Sequence, residues 1–250
     1  MFIFGGYEED TDTFTNAVYA LDLDGKKWSY VDTKGKPPEV RDFHTTVCIG
    51  DKMYLFGGRG TDSRRGYYLP DEETYSDDLW CLNLLTMEWT KLEPVGDRPL
   101  GRRSHSAFVY NNKMYIFGGY NGLEEKHFND LYEFDPDTCR WTLLNPMGSG
   151  PCKRRRQACV VVGNRVFLFG GTSPVSCFPN EFSSMCGNKL IDHHDMYVLD
   201  FSPSLKTLSI IAVKNYKLDY SDLPDNLKSQ IHNMFMPNKL AVGRPNNSTG

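Results

Sequence analysis

An all-β propeller with about four blades, the first of them incomplete, followed by a short C-terminal helical segment, is the fold this sequence predicts. Three observations carry that expectation. A glycine pair recurs with a period near 50 residues, a Trp follows an aromatic residue at a fixed nine-residue spacing, and both signals end after about residue 205.

The glycine pairs close four similar segments, FIFGGY, MYLFGGR, MYIFGGY and VFLFGGT, at Gly5-Gly6, Gly57-Gly58, Gly118-Gly119 and Gly170-Gly171. The nine-residue spacing runs from Tyr19 to Trp28, Trp80 to Trp89 and Tyr132 to Trp141. Upstream of the second and third pairs stand His44 and His105, each three residues after an arginine (Arg41, Arg102), and Gln157 with Arg154 takes that place in the fourth repeat. Within one unit, HSAFVY, KMYIFGG, NDLYEFD and RWTLL read as four short strands separated by turn residues such as Asn111-Asn112 and Pro136-Asp137. Four strands per repeat make one propeller blade. The glycines allow positive φ or close backbone approach beside a central channel, and the Trp supplies bulk between blades. The chain opens directly on FIFGG, so blade one lacks its first strand and an N-terminally truncated propeller is expected.

Gly-Gly, then an aromatic residue, then Trp at these distances, repeated over roughly residues 1–205, resembles the kelch family. The resemblance implies a ring usually closed by six or so blades, on the order of two of them missing upstream. It also implies that the residue after each glycine pair faces the mouth of the channel. Those residues are Tyr7, Arg59, Tyr120 and Thr172, approached from the next strands by Asp42-Phe43, Arg103-Ser104 and Arg155-Arg156. Guanidinium groups converging there suit a carboxylate or an acidic peptide, because each makes paired, charge-assisted hydrogen bonds. Arg41, Arg102 and Arg154 repeat in register and read instead as partners between blades.

The formal charge of −4 gives no overall basic balance for nucleic acid or an anionic membrane, and Lys153 to Arg156 is too short a basic run to change that. No stretch of about 18 apolar residues occurs, so a membrane-spanning helix is not expected. Seven cysteines without a C-x-x-C pair read as reduced thiols, which with no visible secretion signal points to the cytoplasm or nucleus. No nucleophile elbow, phosphate loop or separate carboxylate pair is present, and His193-His194 between Asp192 and Asp195 reads as structural rather than metal-binding. A binding protein without catalytic residues, metal or cofactor is expected. An oxidase of the copper-dependent kind built on similar blades would need Tyr and His ligands converging on the channel, and Tyr120 has no His beside it in the repeat.

The organisation expected is propeller blades over residues 1–205, two helices over 206–235 and a flexible tail over 236–250. From Leu208, the apolar residues Ile211, Ala212 and Tyr216 form one helical stripe, and Leu223, Leu227 and Ile231 form another, with Asp222 as N-cap and Pro224 in the first turn. The alternative is that TLSIIAV closes the last blade as its fourth strand. The segment resembles the elongin-binding box and the cullin-2 box of ubiquitin-ligase substrate receptors. Thr207, Leu208 and Ala212 match the first box, whose last site is usually aliphatic and here is Tyr216; Leu223, Pro224, Leu227 and Ile231 match the second.

With RRSHSAF, RRRQACVVVG, LFGGTSP and LDFSPSLKTL, the whole chain resembles the cullin-2 kelch receptors. That resemblance implies a receptor that binds elongin B, elongin C and cullin-2 and reads protein C-termini ending in glycine. Its carboxylate-binding residues would be Arg59 and Arg64, with Arg103 and Ser104 as polar contacts and Tyr120 in the same ring. The chain itself ends in Gly250, so self-association through its own tail is a further expectation. The competing reading is a plain kelch scaffold, attached to actin or chromatin, in which residues 206–235 only pack.

Overall fold

The computed structural model of the protein describes residues 1–61, 73–174 and 190–236. Four antiparallel blades follow one another. The first holds β1 (Phe2–Glu8), β2 (Thr13–Asp22) and β3 (Lys27–Val31). The second holds β4 (Thr45–Ile49), β5 (Lys52–Phe56), β8 (Leu79–Asn83) and β9 (Glu88–Leu92), with a hairpin of β6 (Arg59–Thr61) and β7 (Glu73–Tyr75) after its glycine pair. In the third, β11 (Ser106–Tyr110), β12 (Lys113–Phe117), β15 (Leu131–Asp135) and β16 (Arg140–Leu144) are joined by β10 (Val95–Gly96), and its hairpin is β13 (Tyr120–Asn121) with β14 (Lys126–His127). The fourth holds β17 (Ala158–Val162), β18 (Arg165–Phe169) and β21 (Met196–Asp200), with a hairpin of β19 (Thr172–Pro174) and β20 (Leu190–Asp192). Among the described residues, the first blade therefore has three strands and lacks the inner one, as its opening on FIFGG predicts, and the fourth has three and lacks the outer one.

The core lies in the seams between blades. Because neighbouring residues of a strand point to opposite faces, Met53 and Leu55 of β5 pack with Phe4 and Val18 of the first blade, while Tyr54 and Phe56 pack with Met114, Ile116 and Trp141 of the third. Phe108, Tyr115 and Phe117 close the last seam against Val166 and Leu168. The repeated Trp does what its spacing predicts: Trp89 stands edge-on to Phe4 at 5.2 Å and Trp141 to Phe56 at 5.4 Å, each bridging to the preceding blade. Trp28 belongs to the first blade and is 47% exposed.

Near the channel, the second glycine of each of the first three pairs donates its N–H to the arginine carbonyl of the next blade: Gly6 to Arg41, Gly58 to Arg102, Gly119 to Arg154, at 2.8–2.9 Å. Positive φ is required for this, 101° at Gly58, and a Cβ on Gly57 would lie 2.6 Å from the carbonyl oxygen of Arg102. The arginine side chains then turn back into their own blades. Arg41, Arg102 and Arg154 each donate to the carbonyl of the first glycine, at 3.0 Å. Arg102 also forms an ion pair with Asp130, as Arg154 does with Asp195 at 2.6 Å. All three are buried; expected as partners between blades, they reach the preceding blade through their backbone carbonyls, while their side chains hold their own blade together.

The chain leaves the propeller as two helices, α1 (Leu205–Asn215) and α2 (Asp225–Met234), so TLSIIAV is helical and not the missing strand. Ser204 caps α1 by accepting the Thr207 N–H at 3.1 Å, which starts the helix three residues before Leu208. Asp222 is not a cap. Pro224 disfavours helical geometry in the residue before it and itself occupies the N-cap position with φ −56° and ψ 146°. Asp225 then places a carboxylate in the first turn. No helix among the described residues is long and apolar enough to cross a membrane.

Candidate ligand-binding face

The three hairpins that follow the glycine pairs rise on the same side of the sheets, and each is held to its blade by one further backbone bridge. Asp42 pairs with Arg59, Arg103 with Tyr120 and Arg155 with Thr172, each through two N–H···O bonds of 2.8–3.0 Å. Directly opposed residues of antiparallel strands present their side chains on one side. With the hairpin partners, this creates three equivalent rows: Asp42, Arg59, Tyr75; Arg103, Tyr120, His127; Arg155, Thr172, Asp192. The rows are tied to one another through Phe43, Ser104 and Arg156, which share left-handed φ of 51°, 55° and 62°. The Ser104 N–H donates to the Phe43 carbonyl at 2.9 Å, and the Arg156 N–H to that of Ser104 at 2.8 Å.

Across these rows, guanidinium groups alternate with aromatic rings. Arg59 lies between Phe14 and Phe43, 5.4 and 5.3 Å from their centroids. Arg103 lies between Phe43 and Tyr120 at 5.9 and 5.7 Å, also meeting Tyr75 at 5.7 Å, and Arg155 lies over Tyr120 at 4.6 Å. Planar cations stacked on rings keep their in-plane N–H groups free to bind acceptors.

The charges along this ladder are unequally compensated. Arg59 forms a two-pronged pair with Asp42 (3.1 and 2.7 Å) and a third hydrogen bond to Glu73 at 2.8 Å. The hydrogen bond to Asp42 chiefly raises its proton affinity, against the opposing effect of burial. Glu73 also lies 3.6 Å from Arg103 and accepts from the Tyr75 hydroxyl at 2.5 Å. Burial alone would raise the Glu73 carboxyl, but the hydrogen bonds from Tyr75 and Arg59 and the charge of Arg103 hold it below its usual value. Tyr75 is pushed up to about 12 by burial and by that same carboxylate. Arg155 has the reverse setting: burial, then Arg156 and Arg103, lower its proton affinity.

Arg59, Arg103, Ser104 and Tyr120 thus come together on one face, whereas Arg64 lies outside the described residues. Ser104 contributes through its backbone ladder. Phe14, Glu73, Tyr75 and His127 join the face without having been singled out in the sequence. Tyr75 stands five residues before Trp80, as His127 does before Tyr132 and Asp192 before Tyr197, and Glu73 takes the place of Glu125, so counting back from the strand aromatic finds them where counting forward from the glycine pair, across the insertion, does not. His193 is largely buried and exchanges hydrogen bonds with Ser173 at 2.7 Å and with Cys152 at 3.6 Å, as a structural histidine does. No group of His, Cys, Asp and Glu suited to a metal occurs among the described residues.

On the helices, Thr207, Leu208 and Ala212 lie half-buried on α1 around the buried Ile210. Leu223 and Pro224 are exposed before α2, Leu227 is half-buried and Ile231 is buried. Leu205, Tyr216, Leu218 and Tyr220 are exposed, making an apolar surface along this segment.

Blades stacked seam to seam, with a polar face at the channel mouth, define a propeller-type interaction module. The family model of the KLHDC2/KLHL20/DRC7 Kelch-repeats domain matches residues 1–171, and the chain belongs to the kelch-repeat family. Kelch domain-containing protein 3 of Homo sapiens is 44% identical over 236 residues, 94% of this chain and 60% of that protein. Kelch domain-containing protein 2 of Bos taurus is 28% identical over 260 residues, 96% of this chain and 58% of that protein. Host cell factor 2 of Homo sapiens is 33% identical over 205 residues, 68% of this chain and 24% of that protein. The chain therefore spans about 60% of the length of the kelch domain-containing relatives. The family supports a role in protein interaction.

Proposed function

We propose that the protein is the substrate receptor of a cullin-2 and elongin ubiquitin ligase, binding protein C-termini that end in glycine on the propeller face. In this reading ubiquitin transfer takes place elsewhere in the assembly, and the chain acts as the binding subunit. The observation that carries the reading is the ladder of Arg59, Arg103 and Arg155 interleaved with Phe14, Phe43 and Tyr120. Such a ladder offers in-plane donors to a carboxylate and ring faces to the chain behind it. A terminal glycine suits it, because the absent side chain lets the carboxylate approach closely.

The second part of the reading rests on the two helices. Thr207, Leu208 and Ala212 on α1 would meet elongin C, with elongin B bound to it, and Leu223, Pro224, Leu227 and Ile231 would meet cullin-2. Exposed Leu223 and Pro224 support this, since apolar groups left in water at a helix start favour a partner. Action would be in the cytoplasm or nucleus. The same chemistry extends to the tail of a second copy through Gly250, which lies outside the described residues. There, Gly250→Asp is expected to reduce self-association and free the face for peptide.

The deciding experiment is co-purification of the full chain with elongins B and C and cullin-2, comparing wild type with Leu208→Ser combined with Leu223→Ser. Capture by wild type and its loss in the double variant is the expected result. No capture by wild type would remove the ligase assignment and leave a kelch scaffold of the actin- or chromatin-associated kind.

A further inference from the structure

In the fourth blade, the buried arginine of the hub shares its surroundings with a thiol and an imidazole. Arg154 donates from Nη2 to Cys152 Sγ at 3.3 Å, and His193 Nε2 stands 3.6 Å from the same sulfur. Asp195 closes the group: it accepts two hydrogen bonds from Arg154, at 2.6 and 3.0 Å, and lies 3.8 Å from His193 Nδ1. Ser173, fully buried, fixes the ring through its 2.7 Å hydrogen bond with Nε2. Arg154, Ser173 and His193 each adjoin a residue of the fourth row, Arg155, Thr172 and Asp192, so the cluster lies behind the ligand-binding face and not on it.

The repeat does not demand these residues. Each buried arginine donates from Nε to the carbonyl of the residue two before it, and that residue is Glu39, Leu100 or Cys152. The position of His193, whose backbone N–H donates to the carbonyl of the second glycine, is held by Ser76 and Phe128 in the blades before. Leucine and phenylalanine build the same hub in the third blade, where Arg102 stacks on Phe128 at 3.9 Å. A thiol and an imidazole therefore add chemistry to a place that folds without them.

The sulfur has a guanidinium donor on one side and a base on the other. Burial and then Arg154 hold His193 below its ordinary value, against the pull of Asp195 and Asp192, so the ring is neutral and able to take a proton. Reactive cysteines sit beside such groups and are partly exposed. Cys152 is half-buried, and with Lys153 it forms part of the wall of an open cleft between the β13–β14 hairpin and the fourth blade. Among the described cysteines, Cys152 is the one whose sulfur accepts from a guanidinium. Burial pushes the thiols of Cys81 and Cys159 up, the latter to about 11.

We infer that Cys152 is a modification site, a thiol that reacts with small hydroperoxides with His193 carrying the proton. The thiol proton passes to His193 Nε2 as the sulfur attacks one peroxide oxygen. An S–O bond forms, the O–O bond breaks, and the departing hydroxide takes the proton from His193 and leaves as water. The sulfur is oxidised by two electrons and the peroxide reduced by two, which leaves a sulfenic acid. Small thiols reverse the change: one attacks the sulfenic sulfur and releases water, and a second displaces the first as a disulfide and returns the Cys152 thiol.

The test treats the reduced full chain with hydrogen peroxide, traps sulfenic acid with dimedone and reads each cysteine by peptide mass spectrometry. Cys152 is expected to be trapped about tenfold faster than Cys48 or more, although Cys48 is the more exposed. His193→Gln, which keeps a hydrogen-bonding side chain, should slow Cys152 by about tenfold or more and leave Cys48 unchanged. In urea the two cysteines should react at one rate. Trapping of Cys152 no faster than that of Cys48 in the folded chain would overturn the proposal, as would a lead of Cys152 that persists in urea. A Cys152 rate untouched by His193→Gln would overturn the role of the imidazole. Far-UV circular dichroism confirms folding of the variant, and the wild-type comparison of Cys152 with Cys48 decides the proposal even if the variant does not fold.

Discussion

At the scale of single residues, the repeat separates two kinds of arginine. Arg102 has no exposed side chain, and its guanidinium donates to the carbonyls of Leu100 and Gly118 and to Asp130. Removing it strands a carboxylate and two carbonyls in a buried place, so Arg102→Leu should cost about 3 kcal/mol. For a chain of this size that lowers the melting temperature by roughly 10 °C. Arg98→Ala, at an exposed arginine paired loosely with Glu93, should leave the melting curve nearly unchanged.

The histidines of the seams make a second prediction. His44 is pushed down to about 4 by burial and then by Arg41, and His105 is pushed well below its ordinary value by burial and then by Arg102. Both are neutral in the fold and protonate near 6.5 when unfolded, so the unfolded state binds more protons below that pH. Their contribution is whole above pH 6.5 and is lost as pH falls through 6.5 toward 4. The fourth blade has Gln157 in this place, donating to the Phe117 carbonyl at 2.9 Å without a titrating group. A His44→Gln, His105→Gln double variant should therefore show a flatter melting temperature between pH 6.5 and 4 than wild type.

At the scale of elements, α1 depends on a cap that lies outside the apolar stripe. Ser204→Ala should cost the helix about 1 kcal/mol, seen as faster amide exchange at Thr207 and Leu208 with little change in the blades. The same element shows where sequence reasoning reaches and stops. Blade strands were legible because each repeat tests the others: glycine pair, Trp and buried arginine recur at matching places and carry matching bonds. The start of α1 had no second copy to compare, and its stripe of Ile211, Ala212 and Tyr216 marks a face, not an end. On the binding face, Arg59, Arg103, Ser104 and Tyr120 were legible by register. Glu73 and Tyr75 were not, because the second-repeat insertion separates them from the glycine pair by which the face was counted, although their pairing across β6 and β7 keeps the register of the other two hairpins. The meeting of Cys152 with His193 was invisible for another reason: the other blades hold Glu39 or Leu100 and Ser76 or Phe128 at these places, so no register points to the pair.

At the scale of the molecule, the two end blades each show one apolar side. Ile3, Tyr19, Tyr30 and Trp28 are exposed on the first, and Val160, Val162, Phe169, Met196 and Val198 on the fourth. These are the surfaces that, in the blades between them, fill the seams. Patches of this kind drive association, so the 250-residue chain should sediment faster as its concentration is raised. Val160→Lys with Val198→Lys should suppress that dependence, and a wild-type chain that stays monomeric throughout would show that the exposed faces do not associate.

The connections between blades carry a last consequence. Lys34 pairs in parallel with Glu88 of β9, and β10 pairs in parallel with Arg140 and Trp141 of β16, so the linker from one blade lies along the rim of the next before the chain turns to the channel. The first three blades are thus fastened to one another at two radii, by the glycine and arginine bonds at the hub and by these straps at the circumference. Blades fastened at both places cannot fan open at either, and the spacing of the rows on the second and third blades is set before any ligand arrives.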